Sequence, residues 1–386
     1  MIPPELQNLL EPLERFESIR RKSARLGSRI ADLSYANPYS GIQEQAKAIL
    51  RETLDEERLL DLQYSPFGGK TPVRRAVADS LRESHNLPFS FSDVVLTPGA
   101  MAGLQLALRV AGRPGDEVVI PVPCWLDYPL YARSLGLVPI MVPLTPKTLD
   151  IDLDAIHEAI SEKTCAILFS QPSNPSGRSY DPALMSELAE VISQAEQRLG
   201  CQVTLIADET HRDFMPADEF QSPASVSERT VLIYSFGKYH FMQGQRIGYV
   251  AVSPRHPSRK SLGEELVLWT RITGLATPTA LMQRAVPRLL SLRYKQDWLV
   301  DWRKLFIKEL SAAGYNPVPP EATMFIYAQC PSPNDDFEFV EDLAAAGLLV
   351  LPAPVFHHDG YFRLALTGSE PMLEQALSIL TRFAPR

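Results

Sequence analysis

The sequence predicts an α/β fold: a mainly parallel central sheet flanked by helices, with a smaller α+β domain. Three observations carry this. Between Asp93 and Val252, short apolar, β-branched runs alternate with longer segments of helical period. That is the pattern of parallel strands joined by right-handed helical crossovers. After Arg255 the texture changes to long helices with two isolated strand-like runs, Met324–Gln329 and Tyr361–Leu366. Finally, 386 residues exceed what one small core organises, so two domains are expected. The expected division gives residues 46–285 to a large domain and residues 1–45 with 286–386 to a small one.

The elements follow in order. Leu6, Leu9, Leu10, Leu13 and Phe16 recur at helical spacing and predict an N-terminal helix. The cluster Arg20, Arg21, Lys22, Arg25 and Arg29 reads as a solvated face. Ala36-Asn37-Pro38 is a turn leading to a helix over 43–60, and Tyr64-Ser65-Pro66-Phe67-Gly68-Gly69 is a loop before a helix over 71–84. In the alternating region, strands are predicted over 94–96, 117–121, 137–142, 164–169, 203–207, 230–234 and 247–252. Helices fill the intervals, opening near Ala100 and covering 126–135, 152–160 and 182–199. Beyond Arg255, helices are predicted over 262–272, 281–313, 336–346 and 369–383.

Bulk properties narrow the function. The net charge is 38 − 46 = −8, which argues against a nucleic-acid partner. No apolar run approaches the roughly 18 residues of a spanning helix, so no membrane is expected. Met1-Ile2-Pro3-Pro4-Glu5 has no basic start before an apolar core, so no signal peptide is read and a cytoplasmic location is expected. Cys124, Cys165, Cys201 and Cys330 form no Cys-x-x-Cys pair and read as reduced thiols. His357 and His358 have no visible third ligand, so no metal is expected.

Chemistry gathers at the predicted carboxyl ends of the strands, where parallel sheets bind ligands. Gly99, Asn174, Asp208 and Lys238 all fall there. Lys238 follows Ser235-Phe236-Gly237, where Gly237 permits a sharp turn, and precedes Tyr239, Phe241 and Met242. An amine in apolar surroundings has a lowered pKa and becomes a nucleophile for a carbonyl. Ser235 and Arg246 bracket it with a hydroxyl and a fixed cation, partners of an anion. Asp208 ends an apolar run and wants a cation. Gly99, Ala100 and Met101 open a helix whose free N–H groups suit a phosphate. Trp125 offers a flat face for a ring, and Asn174 an amide at its depth. Together these describe a pyridoxal phosphate pocket.

On these residues, in matching order from about residue 30 to the C-terminus, the chain resembles the fold-type I pyridoxal-phosphate enzymes. The branch it resembles is class I/II of the aspartate aminotransferase superfamily, which implies an aspartate aminotransferase-like large domain. By this resemblance Lys238 would hold the cofactor as the internal aldimine and move the proton at the substrate Cα. Asp208 would keep the ring nitrogen protonated. Asn174, in Ser173-Asn174-Pro175-Ser176-Gly177, matches the asparagine near the ring's phenolic oxygen, and with Ala36 it would border the substrate. Trp125, in Pro123-Cys124-Trp125-Leu126-Asp127-Tyr128-Pro129, matches the aromatic stacked on the ring. Gly99-Ala100-Met101, Ser235 and Arg246 match the phosphate contacts. Tyr64 matches the tyrosine that reaches the phosphate in the neighbouring subunit, which implies a homodimer with shared active sites. Arg363, in Tyr361-Phe362-Arg363-Leu364, matches the arginine that grips the substrate α-carboxylate. The implied activity is transamination of an α-amino acid.

The resemblance departs at His211. The family reads Asp-x-x-Tyr after the aspartate strand, and that tyrosine bonds the ring's phenolic oxygen; here the run is Asp208-Glu209-Thr210-His211. Neutral histidine still donates one hydrogen bond, and titrating near neutrality it would be a second acid–base group. The loop Pro352-Ala353-Pro354-Val355-Phe356-His357-His358 also differs from the family's proline-glycine. These differences keep a second reaction open: elimination, cyclisation (a dehydratase or cyclase) or oxidation of a functionalised amino acid, such as a guanidino one. His211, His240 or His357 would then be the acid. A binding module without turnover is a third reading, opposed by the intact lysine, aspartate and arginine.

Overall fold

The computed structural model describes residues 2–39, 43–56, 63–216, 218–275, 277–331 and 335–384. The chain opens with α1 (Pro4–Ser23), β1 (Ala31–Asp32), α2 (Glu44–Asp55) and α3 (Thr71–His85). Strand and helix then alternate through β2 (Val94–Thr97), α4 (Ala100–Ala111), β3 (Glu117–Val122), α5 (Tyr128–Ser134), β4 (Val138–Pro143) and α6 (Leu153–Ala159). The pattern continues with β5 (Thr164–Ser170), α7 (Pro182–Leu199), β6 (Thr204–Asp208), β7 (Thr230–Ser235), the one-turn α8 (Phe236–Tyr239) and β8 (Gly248–Val252). Three helices follow, α9 (Arg259–Ile272), α10 (Ala280–Leu289) and α11 (Asp297–Ala312), then β9 (Pro317–Val318), β10 (Phe325–Gln329) and α12 (Asp336–Ala346). The chain closes with β11 (Leu348–Leu349), β12 (Leu351–Pro352), β13 (Tyr361–Ala365) and α13 (Glu370–Arg382).

The central sheet runs β2-β8-β7-β6-β5-β3-β4. Only β8 is antiparallel, to β7 and β2; every other neighbouring pair is parallel. All residues of β5, β7 and β8 are buried. Helices cover both faces, so these strands read as continuous apolar runs and not as alternating ones. Leu232 and Tyr234 pack with Ile49 of α2, Val77 of α3 and Met282 of α10. Val231 and Ile233, on the other face, pack with Leu104 and Leu108 of α4. A smaller antiparallel sheet, β12-β13-β10-β9, carries the C-terminal part, and β1 pairs in parallel with β11.

Local chemistry sets several boundaries. The Asp181 side chain caps α7 by accepting the Ala183 N–H, and Gly200 ends it in the left-handed region at φ 70°. Asp335 and Gly347 bound α12 in the same way.

Two predicted elements differ. The helix expected over 281–313 is broken into α10 and α11 across 290–296. Arg293 donates to the carbonyls of Leu290 and Leu292, the Tyr294 N–H donates to the Tyr239 hydroxyl, and Gln296 donates to the Asp213 carbonyl. These bonds replace the helical ladder. At Gly237 there is no sharp turn: the chain passes straight into α8, which carries Lys238. Glycine serves close approach there, since a Cβ would lie 3.0 Å from the Gln243 Cα. The end of the helix predicted over 43–60 lies outside the described residues. Among the described residues, no helix is long and apolar enough to cross a membrane.

Candidate active site

Sheet register builds the site. Ser170 pairs with Asp208, Asp208 with Ile233, Ser235 with Gly248, and Gly248 with Thr97. The ends of β2, β5, β6 and β7 therefore lie along one edge. Gly248 lets them close up: a Cβ there would sit 2.3 Å from the Tyr234 carbonyl oxygen and 3.0 Å from the Gly99 carbonyl carbon.

A cavity of about 170 Å³ opens at this edge. Lys238 and Asp208 both line it, with Trp125, Asn174 and His211. Ala100, Met101, Ser235 and Arg246 line it too. The structure adds Ser170, Thr210 and Gln243, which sequence reasoning did not single out.

Asp208 is buried. The Tyr128 hydroxyl donates to its Oδ2 at 2.9 Å, and the Thr210 N–H donates to its Oδ1 at 3.0 Å. Burial pushes the carboxyl pKa up, while these bonds and the Lys238 charge pull it back. Lys238 is half-buried. Desolvation pulls its amine down to about 8, helped by the charges of Arg363 and Arg246 and opposed by Asp208. More of this amine is therefore neutral near pH 7 than of a solvated lysine.

At the other end of the cavity two positive features meet. The N-terminus of α4 has no side-chain cap. The Arg246 guanidinium lies so near that a Cβ on Gly99 would be 2.5 Å from its Nη2. An uncapped helix start and a cation side by side make a site for an anion. Gly99 supplies space there and not a donor, since its own N–H goes to the Thr97 carbonyl at 2.7 Å. The Ser235 hydroxyl accepts the Gly237 N–H.

Arg363 approaches from β13. It donates to Asn174 Oδ1 at 2.8 Å and to the Ser34 carbonyl at 2.9 Å, between the rings of Phe325 and Phe356. Burial pulls its pKa down to about 9, which leaves it charged at neutral pH, and its Nε has no partner. Ala36 meets the cavity indirectly, through its carbonyl, which accepts from Gln243 Nε2 at 2.8 Å. Tyr64 is fully exposed and does not line the cavity of its own chain.

His211 does not titrate near neutrality. It is 4% exposed, and burial, then the charges of Lys238, Arg363 and Arg303, drive its pKa well below the usual range. Its Nδ1 is buried without a partner. The other candidate acids face elsewhere. His240 Nδ1 bonds the Tyr294 hydroxyl at 2.7 Å, and His357 Nε2 bonds the Leu126 carbonyl at 3.1 Å. Neither lines the cavity.

Tyr128 sits in the run around Trp125 and was passed over. Its only sequence signal is its place three residues after that tryptophan; its partner Asp208 is 80 residues away on another strand. Thr210 and Gln243 carry no signal of their own, being polar residues in turns.

The family described as aminotransferase class I and II matches residues 31–380. The probable aspartate/prephenate aminotransferase of Aquifex aeolicus is 29% identical over 334 residues, which cover 81% of this chain and 81% of that protein. Tyrosine aminotransferase of Mus musculus is 30% identical over 344 residues, covering 83% of this chain and 72% of that one. An amino transferase structure from Eubacterium rectale matches with a TM-score of 0.89 at 22% identity, covering 99% of this chain and 98% of that chain. At that identity the likeness speaks to the fold.

Proposed function

The chain belongs to the class I and II aminotransferases, and from that premise we propose that it moves the amino group of an α-amino acid, with Lys238 as reactive amine and base. Aminotransferases of this class use pyridoxal phosphate, whose aldehyde and ring let the substrate Cα give up its proton. The cavity suits that group. Thr210 Oγ1 and His211 Nδ1 are buried at its walls without partners. The uncapped start of α4, with Arg246, suits the phosphate. The buried Asp208 carboxylate suits a protonated ring nitrogen, and Trp125 suits the ring face.

Each residue then has a task. Lys238 would hold the aldehyde and would serve as the base at the substrate Cα; its lowered pKa keeps it available for that role. Asp208 would keep a proton on the ring nitrogen, and Tyr128 and Thr210 hold Asp208. His211, kept neutral, would donate to the ring oxygen. Arg363 grips the α-carboxylate and is aimed by Asn174. The observation that carries the reading is that Lys238 and Asp208 line one cavity.

The names of the relatives make acidic and aromatic amino acids the first substrates to test. Protein loaded with cofactor is incubated with acidic, aromatic, aliphatic and guanidino donors plus a keto acid. A new amino acid formed from the acceptor, absent with Lys238→Ala, supports the reading. Ammonia release or water loss without amine transfer overturns it.

We also propose a homodimer in which Tyr64 of each chain reaches the phosphate bound by the other. Its full exposure supports this, as do the exposed Phe67, Leu268 and Ile272 nearby on the loop and α9. Mixing Tyr64→Ala with Lys238→Ala chains tests it: hybrids should regain an intact site and activity. The division into 46–285 and 1–45 with 286–386 is part of this proposal, supported by the pairing of β1 with β11.

A further inference from the structure

A second cavity, about 340 Å³, shares a wall with the first. Lys238 and His211 line one side, while their chain neighbours Tyr239, Arg212 and Asp213 line the other. Phe214 completes the partition, packed against His211 at 6.0 Å and Tyr239 at 5.8 Å between ring centroids. The break between α10 and α11 adjoins that wall and adds Arg293, Tyr294 and Gln296 to the lining.

The lining has three parts. Phe214, Phe220, Tyr239 and Tyr294, with Met215, form an aromatic slot. Behind it, Glu209 accepts from His85, Arg212 and Ser222, so that buried cluster is satisfied within itself. The remaining charges are Asp213 and Arg293. The Asp213 carboxylate accepts from the Tyr234 hydroxyl and feels the Arg212 charge but has no cation in direct contact, and Arg293 bonds only carbonyls, among the described residues. Both line the cavity, Asp213 beside the partition and Arg293 at the helix break.

We propose that this cavity is a second, noncatalytic site that binds an aromatic α-amino acid as its zwitterion. Arg293 takes the carboxylate, Asp213 the ammonium, and the slot the ring. A keto acid would leave Asp213 unmatched, and an aliphatic amino acid would underfill the slot. An occupant touches Phe214 and Tyr239, so it bears on the wall behind His211 and Lys238.

Borohydride treatment of the holoenzyme fixes the cofactor to Lys238 and closes the catalytic site to exchange; loss of the cofactor's visible band reports that step. Calorimetry with L-phenylalanine on the treated enzyme should find about one site per chain, weakened about tenfold or more by Arg293→Ala and by Phe220→Ala. L-leucine and phenylpyruvate should each bind about tenfold more weakly than L-phenylalanine. No binding, or equal binding in both variants, overturns the site. Equally tight leucine or phenylpyruvate overturns the ligand class. Melting temperatures check that the variants fold; should they not, Phe220→Trp fills the slot, and unchanged binding there overturns the site. If the visible band survives borohydride, the reading of Lys238 fails, while the comparison with Arg293→Ala still decides this site.

Discussion

Tyr128 donates its hydroxyl to Oδ2 of Asp208 across 2.9 Å, joining the first residue of α5 to the last of β6. The tyrosine is fully buried. Its bond favours the charged carboxylate, against the burial that opposes it. Bonds to charged groups contribute about 1.5–3 kcal/mol. Tyr128→Phe should therefore cost about 2 kcal/mol in a urea titration and lower kcat about tenfold. KM should hold, because Tyr128 positions Asp208 and does not line the cavity.

Gly99→Ala should separate phosphate binding from ring binding. The added Cβ would strike Arg246, and the residue sits at φ 85°, where side chains are strained. Fluorescence titration of the apoprotein should show pyridoxal phosphate binding about tenfold or more weaker. Pyridoxal, which lacks the phosphate, should bind as to the wild type.

His211 should cost stability in acid. Its folded pKa lies well below the ordinary 6.5, so below that pH the unfolded chain takes up a proton that the folded chain does not. Stability from this group therefore falls as pH drops from 6.5. His240, pulled down to about 4 by burial, adds to the same slope. His211→Phe should flatten the fall in urea midpoint of the apoprotein between about pH 6.5 and 5. A slope equal to that of the wild type would mean that His211 is charged in the fold.

Lys238 has the opposite consequence in base. Its folded pKa of about 8 lies below the ordinary 10.5, so between those values the unfolded chain binds the extra proton. Stability from this group rises with pH across that window. In the apoprotein at neutral pH, Lys238→Met should be more stable than the wild type by on the order of 2 kcal/mol, the amine being partly solvated. The difference should shrink as pH approaches 10.5. A constant difference would show that the amine titrates normally.

Much of this was legible because strands buried on both faces must be apolar throughout. Val231, Leu232 and Ile233 announce β7, and Leu205, Ile206 and Ala207 announce β6; Lys238 and Asp208 follow where those runs stop. The break between α10 and α11 was not legible. The residues from 290 to 296 have no helix-stopping glycine, and the bonds that stop the helix come from Tyr239 and Asp213, more than fifty residues away.

The sequence by itself determined the order of elements and the strand ends at which Lys238 and Asp208 stand. These depend on periodicity and on residue type, which are local. Only the tertiary structure decided that Tyr128 supports Asp208, that Gly99 yields its space to Arg246, and that His211 stays neutral. Hydrogen-bond partners, close approaches and desolvation arise between segments distant in the chain, and they exist only once the sheet register has brought those segments together.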